Sequence, residues 1–341
     1  MQSLYALAPL VALLAVSLPA QPKGKVDRVE VRGRSLEGNL SGDSPVRRVS
    51  VYLPPSYASS PDRRYPVLYF LHGFTDSEST WMGWEEHWIS LPAVIDRTLA
   101  AGGSKEMIVV MPDAHTRFFG SMYSSSVTVG DWETYVAQEL VAYVDSHYRT
   151  LPQRSSRGLA GHSMGGYGTV RIGMRNPKVF SSIYALSPCC MAPQTDPDQL
   201  VERAKGADAI QSDADLAKAS FGMKALFASA AAWSPNPLNP PFYLDLPSPD
   251  RPEVAALWSA NAPLALVPQT IPNLRKLKAI AFDAGKDDRG IAATVVELDK
   301  LLDTYEIDHF SEIYDGNHVN HIDTRIEQFA LPFFSKNLVF E

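Results

Sequence analysis

At Gly161-His162-Ser163-Met164-Gly165-Gly166 a cluster of small residues follows the apolar stretch Ser156 to Ala160 and opens a segment, Met164 to Met174, with apolar residues at helical spacing. A strand can turn this sharply into a helix only where residues without a Cβ let the backbone fold back on itself. The turn lifts its central serine to the N-terminal end of the helix, among free backbone N–H groups. Ser163 is therefore the candidate nucleophile. The rest of the chain must then supply a central sheet, covering helices and groups able to activate a hydroxyl.

A serine hydroxyl is a poor nucleophile at neutral pH, so it needs a base, and the base needs an orienting acid. In folds built around such a turn, the acid and then the histidine follow the serine along the chain. Carboxylates stand at the end of a strand-like run in Ala281-Phe282-Asp283-Ala284-Gly285-Lys286-Asp287-Asp288, and an imidazole follows the next such run in Tyr314-Asp315-Gly316-Asn317-His318. Asp288 is the first choice of acid, with Asp287 and Asp283 as alternatives. Asp287 or Asp288 is also placed to cap the helix starting near Gly290. His318 is preferred to His321 as base, because His321 falls at the final helix. His87, His115 and His147 have no comparable setting. Without H-E-x-x-H spacing or a third ligand cluster, no metal is expected, and the chemistry calls for no cofactor.

A tetrahedral intermediate needs two hydrogen-bond donors on its oxyanion. The backbone N–H of Met164, directly after the nucleophile, is one candidate. The other is Phe74, in the sharp exit His72-Gly73-Phe74 after the apolar run ending at Leu71. Trp81 and Tyr123 are the candidate substrate-binding residues, with Trp233 and Trp258 also weighed as pocket or core.

The architecture follows from the order of patterns. Val26 to Val31 and Arg47 to Leu53 read as antiparallel edge strands. Pro66 to Leu71, Met107 to Met111, Ser156 to Ala160, Ser181 to Leu186, Leu277 to Phe282 and His309 to Tyr314 read as buried strands. Helices are expected at Leu91 to Leu99, Trp132 to Tyr148, Met164 to Met174, Ile291 to Tyr305 and His321 to Phe334. This alternation implies a mostly parallel central sheet flanked by helices, an α/β fold. Residues 189–274 break the rhythm with proline-rich loops and Ala-rich helices, and read as a cap or loop insertion before the acid-bearing strand.

Residues 1–22 carry no Lys, Arg, Asp or Glu, and Leu4 to Leu18 is almost continuously apolar. That run is shorter than the ~20 residues of a membrane span, and reads as a signal peptide over 1–20 cleaved near Ser17 or Ala20. A secreted or periplasmic single domain over 21–341 is expected, with no membrane span in the mature chain. With 31 Lys+Arg against 38 Asp+Glu, the chain has no positive surplus for a phosphate backbone, so nucleic acid is not an expected partner. The only cysteines, Cys189 and Cys190, are adjacent and are expected to be small buried apolar residues.

Together, Pro54-Pro55-Ser56-Tyr57, Tyr65 to Phe74 with Trp81, Gly161-His162-Ser163-Met164-Gly165-Gly166 and Gly316-Asn317-His318 resemble the Putative esterase family of α/β-hydrolases. Esterase D (S-formylglutathione hydrolase), feruloyl and acetyl-xylan esterases and the antigen 85 mycolyltransferases belong to that family. The resemblance runs from about Val26 to the C-terminus. It implies an α/β-hydrolase fold, with Asp288 in the acid position of the Gly285-Lys286-Asp287-Asp288 turn. It also implies hydrolysis of carboxylic esters through an acyl-enzyme, on a small-molecule or glycan-linked ester such as a feruloyl or acetyl ester of a polysaccharide. An acyltransferase of the mycolyltransferase type and an S-formylglutathione hydrolase-like thioesterase are the alternatives. The insertion at 189–274 departs from the compact members.

Overall fold

Eight strands build the central sheet: β1 (Lys25–Arg32), β2 (Val46–Leu53), β3 (Val67–Leu71), β4 (Ile108–Pro112), β5 (Arg157–His162), β6 (Ser182–Leu186), β7 (Ala279–Gly285) and β8 (Phe310–Tyr314). This computed structural model describes residues 23–194 and 196–341, so the apolar leader read over 1–20 lies outside the described residues. The spatial order is β1-β2-β4-β3-β5-β6-β7-β8. β1 and β2 run antiparallel to their neighbours, and all strands from β4 to β8 pair in parallel. β3, β4 and β6 are buried at every residue, as continuous Val, Ile and Leu runs require when helices cover both faces. β8, at the sheet's edge, leaves Phe310 and Ile313 exposed.

Helices Leu91–Ala100, Met164–Arg175 and Arg289–Thr304 lie where the apolar spacing placed them. The two other long helical segments depart from a uniform α-helix. Tyr135–Glu139 and Ile326–Ala330 are wound as π-helix inside Trp132–His147 and Ile322–Asn337. In the first, the wider turn buries three consecutive residues, Tyr135, Val136 and Ala137. A 3.6-residue repeat read from sequence does not anticipate such burial.

The stretch 189–274 carries helices Pro197–Arg203, Asp213–Lys218, Phe221–Trp233, Pro252–Asn261 and Pro263–Leu274. Part of it is core: Trp233 and Trp258 meet edge to face at 5.4 Å, both buried, and their indole N–H groups donate to Ser124 Oγ and Ser234 Oγ. Part reaches toward the carboxyl ends of the strands, where Arg117 pairs with Asp213 at 2.7 Å and donates to the Pro241 carbonyl. Among the described residues, no helix is long and apolar enough to cross a membrane.

Candidate active site

Ser163 stands between the end of β5 and the helix Met164–Arg175 with φ 57° and ψ −114°, a left-handed conformation that non-glycine residues rarely adopt. The flanking glycines make it possible. A Cβ on Gly161 would lie 2.4 Å from the Gly165 carbonyl oxygen, and one on Gly165 would lie 1.9 Å from the Leu71 oxygen. The strained residue is held from three sides: its N–H donates to Leu186 O, and its own carbonyl accepts from Tyr167 N and Cys189 N.

The acid and the base meet because the turns after β7 and β8 are packed backbone to backbone. A Cβ on Gly285 would sit 2.4 Å from the Gly316 oxygen, while Lys286 N–H donates to Tyr314 O and Asp287 N–H to Gly316 O. The Asn317 side chain, which the sequence did not single out, accepts from Val319 N–H and Asn320 N–H and ties the turn that presents His318. As a result His318 Nδ1–H donates to Asp288 Oδ2 at 2.5 Å, and Ser163 Oγ–H donates to His318 Nε2 at 2.9 Å. The other carboxylates take no part. Asp287 makes no hydrogen bond to the histidine, and Asp283 is fully buried in a separate network with Tyr184 and Arg325. Asp288 occupies the N-cap position of Arg289–Thr304 but makes no side-chain cap bond, so the expected capping role is corrected: its carboxylate is turned to His318 instead. His321 precedes Ile322–Arg325 and packs on Tyr314 rather than facing the serine.

His162, between Gly161 and the nucleophile, is a second histidine that sequence reasoning missed. It is buried, its Nε2–H donates to the His318 carbonyl at 2.8 Å, and the two rings lie 4.8 Å apart. Burial, reinforced by the neighbouring His318, pushes its pKa down to about 3, so the ring is neutral. His72 plays a comparable part on the other side. Its Nε2 accepts from Ala114 N–H, which fixes the tautomer so that Nδ1–H donates to Gly73 O. Burial lowers its pKa as well. The exit from β3 is thereby pinned next to the serine: a Cβ on Gly73 would be 3.7 Å from Ser163 Cβ. Among the described residues, neither the Phe74 N–H nor the Met164 N–H has an acceptor. The side chains of Phe74 and Met164 both close around Gly120, at 2.7 and 2.6 Å from where its Cβ would be.

The two residues expected to bind substrate do not line an opening. Trp81 is fully buried, with its indole N–H on Asp76 Oδ2 at 2.8 Å and its ring against Phe70 and His162. Tyr123 is fully buried under the helix Met164–Arg175 with its hydroxyl on the His72 carbonyl. Both are corrected to supports of the site. The exposed aromatics beside it are others. Phe221, from the insertion and 66% exposed, meets Phe74 edge to face at 5.5 Å, and half-exposed Trp88 packs 5.9 Å from His162. Both lie in stretches without apolar periodicity, so no pattern marked them. The cysteines need correction too, since Cys190 is exposed and Cys189 only half-buried.

A serine, an imidazole and a carboxylate in hydrogen-bonded series, beside two free amides, can carry out acyl transfer. A curated esterase of Mycobacterium tuberculosis is 35% identical over 124 residues, covering 36% of this chain and 25% of that protein. An endo-1,4-beta-xylanase/feruloyl esterase of Xylanibacter ruminicola is 31% identical over 138 residues, 40% of this chain and 18% of that one. The matches thus span a quarter or less of the length of these two relatives. Among solved structures, a ferulic acid esterase superposes with a TM-score of 0.65 at 22% identity, covering 94% of this chain and all of that one, which shows a shared α/β-hydrolase fold. The family described as Putative esterase matches residues 45–322, most of the sheet and all three members of the hydrogen-bonded series, and the chain belongs to that family.

Proposed function

We propose that the protein is a serine carboxylesterase that works outside the cytoplasm after removal of its apolar leader. Ser163 Oγ attacks the ester carbonyl carbon while His318 Nε2 takes the hydroxyl proton, and Asp288 holds the imidazole in the right tautomer and offsets its positive charge. The Phe74 and Met164 N–H groups receive the oxyanion. Collapse breaks the bond to the alcohol oxygen, which leaves with the proton held by His318. Water then attacks the acyl-enzyme, giving its proton to the same nitrogen, and Ser163 is released with the carboxylic acid. The observation that carries this reading is the unbroken series from Ser163 Oγ through His318 to Asp288, at 2.9 and 2.5 Å.

The substrate class is an ester with an acyl group of aryl or short aliphatic type, such as a feruloyl or acetyl ester on a polysaccharide. The exposed ring of Phe221 beside Phe74, and the feruloyl esterase named in the Xylanibacter relative, support it. The insertion at 189–274 acts as a partial cap, because it alone supplies Phe221. The test is initial rates on p-nitrophenyl acetate, butyrate and octanoate, methyl ferulate and S-formylglutathione, for the protein and Ser163→Ala. Hydrolysis of the oxygen esters that disappears in the variant supports the reading. Equal rates in both proteins, or product formed only when an acceptor alcohol is added, overturn it.

A further inference from the structure

The two cysteines lie outside the proposed mechanism, yet the strap that carries them is built into the site. After β6 the chain passes through Ser187, at φ 42°, to Cys190, at φ 61°, two left-handed residues bracketing a tight bend. In the middle of that strap Cys189 N–H donates to the carbonyl of Ser163 at 3.1 Å. Cys190 faces a cavity of about 430 Å³ that is also lined by Asp288, Met191, Trp233, Trp258 and Arg203. The two Sγ atoms are 2.9 Å apart, with Cys190 Sγ–H donating to Cys189 Sγ while both are thiols. The neighbouring Cys189 sulfur and the Arg203 cation lower the pKa of the exposed Cys190, while contact with Cys190 and partial burial raise that of Cys189. One sulfur is thus an accessible nucleophile and the other a neighbour already in contact with it.

We propose that Cys189 and Cys190 form a reversible dithiol modification site that exchanges with small disulfides and closes into a vicinal disulfide on the strap behind Ser163. In the first step the Cys190 thiolate attacks one sulfur of a small disulfide, forming a mixed disulfide and releasing one thiolate. Cys189 then loses its proton to solvent and attacks Cys190 Sγ, breaking the mixed bond and releasing the second thiolate. Two protein thiols are oxidised and one external disulfide is reduced to two thiols. Closure moves the sulfurs from 2.9 Å to about 2.05 Å. Adjacent residues hold their Cα atoms about 3.8 Å apart, below the usual disulfide spacing, so the ring is strained and readily reopened.

The test is to equilibrate the folded protein in reduced and oxidised glutathione at graded ratios, quench with an alkylating agent, and read intact mass and the peptide containing both cysteines. This readout is independent of esterase activity. The proposal predicts two alkyl groups per chain at the reducing end and none at the oxidising end. The oxidised peptide should be two hydrogens lighter and the protein monomeric on a non-reducing gel. Cys189→Ser should instead stop at a glutathione adduct on Cys190, and Cys190→Ser should remain alkylated at Cys189. Two alkyl groups at every ratio, a stable glutathione adduct in the unsubstituted protein, or a cross-linked dimer would each overturn it.

Discussion

Two hydrogen-bonded networks start from carboxylates of the same segment, Asp283 inside β7 and Asp288 just beyond its end, and they differ in what surrounds them. Asp283 is fully buried, accepts from the Tyr184 hydroxyl at 2.7 Å and Arg325 Nε at 2.8 Å, and Arg325 continues to Glu312 while lying 3.6 Å over the Phe329 ring. Asp288 bonds a histidine that is about one-third exposed, whose other nitrogen receives a serine hydroxyl in a strained turn. Every strong contact of the first network ends on another fixed side chain, so it ties β6, β7, β8 and the final helix together. The second ends on the Ser163 hydroxyl, reached through a histidine open to solvent. On the proposed mechanism, equal chemistry in the acid serves stability in one place and reaction in the other, and substitutions should separate the two.

The largest effect falls on the open network. Ser163→Ala should lower kcat by roughly 10⁴- to 10⁶-fold with an unchanged melting temperature. Asp288→Asn should follow at about 10³- to 10⁴-fold, because the imidazole loses its tautomer while the fold keeps its core. Steady-state rates beside thermal melts check both. A large melting shift in either would blur the division between the networks.

The closed network predicts the converse. Arg325→Met leaves Asp283 and Glu312 without their cation, and should cost about 3–5 kcal/mol in urea unfolding while changing kcat/KM only a few-fold. Its pH dependence has a definite sign. Burial already pushes Asp283 up to about 6 against the pull of Arg325, compared with about 3.9 in an unfolded chain, so the folded state holds the extra proton. That contribution is present in full below about pH 4 and is lost as pH rises through 6. Removing Arg325 raises the folded value further, so the variant should lose additional stability between pH 6 and 8, measurable by melts across that range.

His162 sits between the two extremes, buried yet bonded to the loop that carries His318. With its pKa near 3 when folded and about 6.5 when unfolded, the unfolded chain binds more protons between these values. Stability should therefore fall as pH drops from 6.5 toward 3, by up to roughly 4–5 kcal/mol. His162→Gln, which keeps a donor for the His318 carbonyl, should flatten this acid limb. The smallest effect is at the insertion's exposed ring: Phe221→Ala should raise KM for aryl esters by a few-fold, about 0.5–1.5 kcal/mol, with kcat retained.

Much of this was legible in the chain. The strands of the central sheet fall where short strand-like runs stand in the sequence, although β8, expected to be buried, is an edge strand with Phe310 and Ile313 exposed, and the glycines at 161 and 165 serve a turn that is sterically closed to any Cβ. Asp288 and His318 were reachable from their places after consecutive strands. What stayed hidden depends on contacts distant in sequence. Trp81 and Tyr123 were read as pocket residues because they lie near strand ends, but their polar atoms find partners in Asp76 and His72 and let them sink into the core. His162 and Asn317 look like motif fillers until the turns after β5 and β8 are brought together. The course of 189–274 was not readable, since Ala-rich and proline-interrupted helices carry weak periodicity and their buried Trp233 and Trp258 are fixed by one another.

The most direct test of the central claim is to treat the protein with a p-nitrophenyl alkylphosphonate, which stops at a stable adduct on an activated serine, and to map the adduct by peptide mass spectrometry. The account predicts one adduct per chain on Ser163, with one equivalent of p-nitrophenol released, and no adduct in Ser163→Ala or His318→Ala. An adduct on another residue, or labelling at the same rate without His318, would contradict it.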